Sequence, residues 1–470
     1  MCEIPIVEYD YYRYGEGYYT SNAKYGIPIH KVRFFWILDP VFRLADCKNR
    51  SAVCLFQGKQ KNRVVLLFIR LSRITAKHGN VLCYLASMVR IVCTFLLLLS
   101  QKLQAQNFFI GRTTGQLPFL EYGLGDDRLG GAKMTYLDTN ILIKIVDSVS
   151  TDYKVQLSNH HFAYLAKQSF KHDTSKLQPY YLTTSWHVWG DEKYDYVSVG
   201  LSEKLPYSSM MQIDPAKIIV DIFGATSNSN WITQLRTVKE IRNVWYEQIE
   251  DDVFRVYIEL KHKQHWGYSI YYNKSGLQIR VKRQPSTLKP KKILVALDAG
   301  HGGSNSGATG VTSNINEKEY TLKIAQQVET YLRRKKVNVF MTREEDKDLS
   351  MIDRTLMLRQ RDPDILISIH LNSSGNENVN GVSTYYRYIG FRTLSQKILD
   401  RMLQSGLNNY GNIGAFNFAL NGPTEYPNCL VEVAFLSNKE DEKRILDPSF
   451  HKTIARKIYK GIKDWLKTVK

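Results

Sequence analysis

The chain has 470 residues, enough for about two to four domains with sizeable cores. Its 43% hydrophobic and 23% charged residues are ordinary for a globular protein, and no internal repeat or long low-complexity tract interrupts it. A formal net charge of +19 favours an anionic partner such as nucleic acid, a membrane surface or an acidic polymer, although a basic solvated surface explains it equally well. No RNA- or DNA-binding motif is present, which puts nucleic acid last among these. Cys2, Cys47, Cys54, Cys83 and Cys93 precede residue 94, and no Cys-x-x-Cys pair occurs. That spacing argues against a zinc ribbon or a thioredoxin-like site. Cys429 lies in an apolar run and reads as a buried, inert thiol.

The first hundred residues contain one apolar stretch, 81–99, interrupted by Arg90. Read from Met88, it forms a basic start at Arg90, an apolar run from Ile91 to Leu99 and a polar end at Ala105. This is the pattern of a secretory signal, and the apolar run is too short to span a bilayer. We therefore expect residues 88–105 to be a signal peptide and residues 1–87 to be an over-extended N-terminal segment. The alternative is a membrane anchor over 81–99 with a cytoplasmic tail.

After a glycine-rich stretch, residues 106–175 show short strands separated by turn residues and look like a bacterial SH3-like β module. Residues 180–283 carry alternating or β-branched runs, among them YDYVSVGLSEKLPY, KIIVDIFGA and VFRVYIELK. This pattern resembles the AMIN domain, a β-sandwich implicated in wall targeting. His160, His161, His262 and His265 read as surface or satisfied core histidines. A basic, proline-containing linker follows at 284–292.

From 293 to 468 strands and helices alternate, which predicts an α/β domain with a mostly parallel sheet and helices on both faces. The stretch NEKEYTLKIAQQVETYLRRKK is an amphipathic helix with Leu322, Ala325, Val328 and Leu332 on its apolar side. Asn316 and Glu319 have the spacing of a capping box at its start. In such sheets chemistry gathers where strands end and loops converge. His301 follows the first strand in DAGHGG, Glu317 opens the helix, and His370 closes the strand ILISIH. Two imidazoles and a carboxylate are the usual ligands of a catalytic zinc, with a fourth position left for water. Glu432 sits inside the apolar strand LVEVAF, where a carboxylate is costly unless paired, hydrogen-bonded or protonated. It is the candidate general base and acid. Each residue has an ordinary alternative. DAGHGG alone reads as a phosphate loop, Glu317 as a helix N-terminal charge, His370 as a strand-end histidine and Glu432 as half of a buried ion pair. Their conjunction makes the metal site.

The stretches LDAGHGGSNSGATG, NEKEYTLKIA, VFMTREEDKDLSMIDRTLMLRQ, DILISIHLNSS, GVSTYY and LVEVAFLSNKEDE run in order through residues 293–443, roughly a third of the chain. Together they resemble the zinc-dependent N-acetylmuramoyl-L-alanine amidases of the Amidase_3 type. The resemblance implies zinc ligands at His301, Glu317 and His370 and a catalytic glutamate at Glu432. Glu319, two positions on, is a weaker ligand candidate. Ala299 and Ala434 stand where that family usually has Pro and Gly, and neither position supplies a ligand. Some members carry an inhibitory helix that plugs the zinc site. Here GVSTYYRYIGFRTLSQKILDRM passes almost directly from strand to helix and leaves no room for one. The stretch GAFNFALNGPTEYPNCLVE reads as an active-site loop, with Asn421 a candidate substrate contact.

The function implied is hydrolysis of the amide between N-acetylmuramic acid and L-alanine in peptidoglycan, for wall remodelling or daughter-cell separation. The protein is then exported, to the periplasm or the cell wall. Its partners are peptidoglycan and, as a second class, an activator protein. A membrane enters only if 81–99 act as an anchor. Two alternatives stay open: a wall-binding protein with an inactive amidase domain, and a zinc peptidase acting on wall peptides.

Overall fold

The structure is a computed structural model that describes residues 108–125, 130–174 and 176–469, with the backbone of four short strands between 43 and 66. The signal peptide at 88–105 and the apolar stretch 81–99 lie outside the described residues, as does the rest of 1–87. Among the described residues no helix is long and apolar enough to cross a membrane.

The region after residue 108 is β-rich, as its alternating runs require. Seven strands between Phe109 and His172 form one antiparallel sheet. Its inward side chains, such as Leu120, Ile143, Ile145 and Val155, are fully buried. Two further sheets follow, of six and four strands. They share a core of Trp186, Val188, Val197 and Ile279 from one and Ile218, Val220, Phe254 and Val256 from the other. Asp195 is fully buried in this region, where a carboxylate survives only with partners. It accepts the backbone N–H groups of Lys239, Glu240 and Ile241 and pairs with Arg283.

The last region has its own sheet and core. Its elements are β1 (Leu294–Ala299), α1 (Glu317–Arg334), β2 (Asn338–Met341), α2 (Met351–Arg361), β3 (Ile365–Asn372) and β4 (Val382–Tyr385). They continue with α3 (Arg392–Met402), β5 (Asn409–Ile413), β6 (Asn428–Phe435), α4 (Lys439–Leu446) and α5 (Pro448–Thr468). The strand order is β2-β1-β3-β6-β4-β5. The pairings are parallel except for β4 with β6, which is antiparallel. The expected mostly parallel sheet is therefore a mixed one. The cause is the connection from β3 to β4, residues 373–381, which carries no helix. A parallel return needs a crossover of a dozen or more residues, so this shorter connection reverses the chain instead.

Side chains of α1, α3 and α5 share a core with Val295, Leu297, Ile365 and Ile367. Leu358 of α2 packs instead with Ala296 and Leu366, which alternate with those residues along their strands. Helix α1 buries Ile324, Ala325, Val328 and Leu332, while Leu322 is only partly buried. The expected capping box is absent. The Asn316 side chain accepts no bond from the first turn, and its amide donates to Glu319 Oε1 at 3.4 Å. The preceding loop supplies the acceptors: Glu317 N–H donates to Ala308 O and Lys318 N–H to Ser306 O.

Candidate metal centre

Strand β1 carries the first half of the site. Its carboxylate Asp298 is fully buried and accepts from Thr342 Oγ1, from Ser368 Oγ and from the Arg354 guanidinium at 2.5 Å. Arg354 also donates to Ala299 O at 2.9 Å and to His301 O at 2.6 Å. Arg343, 1% exposed, donates to Ala299 O and Gly300 O from the other side. Two buried arginines thus hold every carbonyl from Ala299 to His301. The turn they hold places His301 in the left-handed region, at φ 60°. A non-glycine residue there costs on the order of 1–2 kcal/mol, and the charge-assisted bonds to its carbonyl offset that cost.

Helix α1 and strand β3 deliver the other two side chains. Glu317 is 4% exposed at the start of α1. Its Oε1 lies 3.1 Å from His301 Nε2 and 3.1 Å from His370 Nδ1, and accepts Leu371 N–H at 3.0 Å. Its Oε2 accepts Ala308 N–H at 2.8 Å. One ligand atom from each of His301, Glu317 and His370 lies within 4.8 Å of the others. The sequence expectation brought these three residues together, and the structure places them together. Burial pushes the Glu317 carboxyl up, but the two imidazoles outweigh it and hold it well below the usual range. His301 is raised: burial works against its charged form, and the bond to Glu317 more than compensates. The Nδ1 of His301 lies 2.9 Å from Asn305 Oδ1, which also accepts Gly307 N–H. That partner fixes the ring with Nε2 facing the cluster.

Two glycines make room for this arrangement. A Cβ on Gly300 would lie 2.3 Å from the His370 ring, and one on Gly307 would lie 2.5 Å from Glu317 Oε2. Gly300→Ala is expected to lower zinc affinity about tenfold or more, measured by competition with a chelating dye; an unchanged affinity would refute the tight fit.

Glu432 lies in β6, in register with His370 of β3 and Ser383 of β4. Register partners on neighbouring strands share a face, so the Glu432 side chain leaves the sheet on the same side as His370. It is 7% exposed. Tyr385, on β4, is pushed up by burial and by the charge of Glu432. Asn421 is a different case. It is 1% exposed, and its amide donates to Tyr385 O and to Asn428 Oδ1. A side chain so enclosed braces its own loop, so the structure does not present it to a substrate. Glu319 is not in the three-residue cluster. His262 pairs with Glu240, and His265 is buried with its Nε2 at Gln212 O. The turn from β4 to α3 spans residues 386–391 and contains a single short 3-10 turn.

The sequence reading missed Asp298, Arg343 and Arg354. A signal existed for Arg354, which shares the buried side of α2 with Leu358 four positions on. A charge on the apolar side of a helix points to a buried partner.

Two imidazoles and a carboxylate converge on one point, a donor set able to hold a metal ion, beside a second buried glutamate. Residues 295–464 match the family described as N-acetylmuramoyl-L-alanine amidase, and residues 186–281 match the AMIN domain. The chain is 31% identical over 192 residues to the probable cell wall amidase LytH of Staphylococcus epidermidis, covering 41% of this chain. It spans 64% of that relative's length. It is 24% identical over 365 residues to the N-acetylmuramoyl-L-alanine amidase AmiC of Escherichia coli, covering 59% of this chain and 87% of AmiC. Among solved structures, the catalytic domain of CwlV, an N-acetylmuramoyl-L-alanine amidase from Bacillus (Paenibacillus) polymyxa, is similar with a TM-score of 0.36 and 33% identity. That similarity covers 38% of this chain and 99% of CwlV's.

Proposed function

We propose that this protein hydrolyses the amide bond between N-acetylmuramic acid and L-alanine in peptidoglycan, with a zinc ion held by His301, Glu317 and His370. The observation that carries the reading is the convergence of those three side chains within 4.8 Å. Their donor set fits zinc: two imidazole nitrogens and one carboxylate oxygen, leaving a position for water. Bound there, zinc supplies a Lewis acid for the scissile carbonyl and lowers the pKa of water. Glu432 takes the proton of the attacking water and returns it to the departing alanine amine. Asn305 keeps the His301 ring oriented, and the Arg343–Arg354 pair keeps its loop in place. The matches to a wall amidase family and to the AMIN domain support wall peptidoglycan as substrate and an exported protein that remodels the wall or separates daughter cells.

Digestion of purified peptidoglycan with and without a chelator, followed by mass spectrometry, tests this. We expect stem peptides released with a free N-terminal alanine and intact glycan strands, and no release once the metal is removed. Cuts within the stem peptide would instead assign a zinc peptidase. Intact wall with the protein bound to it would assign a wall-binding protein with an inactive amidase domain.

A further inference from the structure

The segment between β5 and β6, residues 414–427, leads into the strand of Glu432. Its start closes on β4: Tyr386 N–H donates to Ile413 O, and the rings of Phe416 and Phe418 flank Tyr385 at centroid distances of 5.0 and 5.1 Å. Tyr385 in turn accepts from Ser383 Oγ at 3.5 Å, and Ser383 is the register neighbour of Glu432. The edge-on cluster of Phe416, Tyr385 and Phe418 is thus a wall next to the proposed reacting groups.

What holds this wall comes from outside its own region. Asn417, between the two phenylalanines, accepts the backbone N–H of Lys133 at 3.1 Å and donates to Gly131 O at 2.8 Å. The amide of one side chain therefore pairs with the hairpin of the first β-rich sheet as a strand residue would. Arg387 adds a donor to the same oxygen at 3.3 Å. Seven residues on, Thr424 makes a reciprocal pair with Tyr268 of the AMIN-matched sheets: Tyr268 N–H donates to Thr424 O and Thr424 Oγ1 donates to Tyr268 O, both at 2.8 Å. Between these points Tyr388 Oη donates to Gly422 O.

We propose that Asn417 is a positioning residue through which the first β sheet holds the Phe416–Phe418 wall against Tyr385, with Thr424 as a second hold from the AMIN-matched sheets. The upstream sheets then set the position of that wall. The kinetic consequence rests on the proposed amidase activity; the hold itself does not. A loop already ordered spares a bound substrate the cost of ordering it.

The test uses the full chain and two variants, Asn417→Ala and Asn417→Asp. Aspartate keeps the size and the acceptor for Lys133 but cannot donate to Gly131 O. Both are expected to raise KM for soluble wall fragments about three- to tenfold, the loss of one or two hydrogen bonds, with kcat and zinc content near those of the parent. Both should also be cut faster by chymotrypsin after Phe416 or Phe418. Thr424→Val should act in the same direction with a smaller effect. Unchanged chymotryptic cleavage in both Asn417 variants overturns the proposal, as does a fall in kcat with KM unchanged. If the parent itself hydrolyses no wall substrate, the amidase reading fails and the cleavage rates alone decide whether the hold exists.

Discussion

On the proposed amidase reading, Glu432→Gln should retain the fold and the capacity to bind zinc while losing wall hydrolysis about a hundred- to ten-thousandfold. The strand around it is buried along its whole length, Asn428 to Phe435. An amide of the same shape preserves that packing and removes only the capacity to accept a proton. Zinc content and thermal unfolding should therefore match the parent, and the rate on purified peptidoglycan should not. A variant that hydrolyses wall at the parental rate would remove Glu432 from the proton-transfer role. The contrast is His370→Ala, which deletes a proposed zinc ligand and should lose metal and activity together.

The second large effect is expected on stability. Arg354→Ala should destabilise the protein by about 3–5 kcal/mol, because it leaves the Asp298 carboxylate without its guanidinium in a fully buried position. Urea unfolding measures this, and a loss under about 1 kcal/mol would fall within surface-substitution behaviour and refute the role. The pH dependence gives an independent check. Burial pushes the Asp298 carboxyl up, but Arg354 and the Ser368 and Thr342 hydroxyls outweigh it and hold it below the usual carboxylate range. A depressed folded pKa contributes stability above the unfolded value of about 3.9, and that contribution is lost as pH falls through the folded value. Without Arg354 burial dominates and the carboxyl rises, so the Asp298 share of the acid loss should disappear or reverse, with stability from this group regained as pH falls through its raised value.

These two expectations differ in how they could be read. Glu432 was legible because a lone carboxylate in LVEVAF violates the composition of a buried strand. Arg354 and Asp298 are 56 positions apart, and neither breaks its local pattern strongly enough to name the other. The sheet shows the same division. Strand and helix positions follow from periodicity, whereas the reversal at β4 depends on which strand the 373–381 connection can reach. Asn421 sits in a loop whose sequence invites a substrate contact, and only packing turns its amide inward to Tyr385 and Asn428.

The sequence by itself determined which side chains were available: two imidazoles and two carboxylates, placed just after β1, at the start of α1, near the end of β3 and within β6. Side-chain type and local spacing carry that information, because a strand end or a helix start follows from a few neighbouring residues. Only the tertiary structure decided how the site is held. The left-handed turn at His301, the paired arginines behind it and the grip of Gly131, Lys133 and Tyr268 on the loop before Glu432 all join residues distant in the chain. Such contacts form only when separate elements are brought together, so no local pattern encodes them.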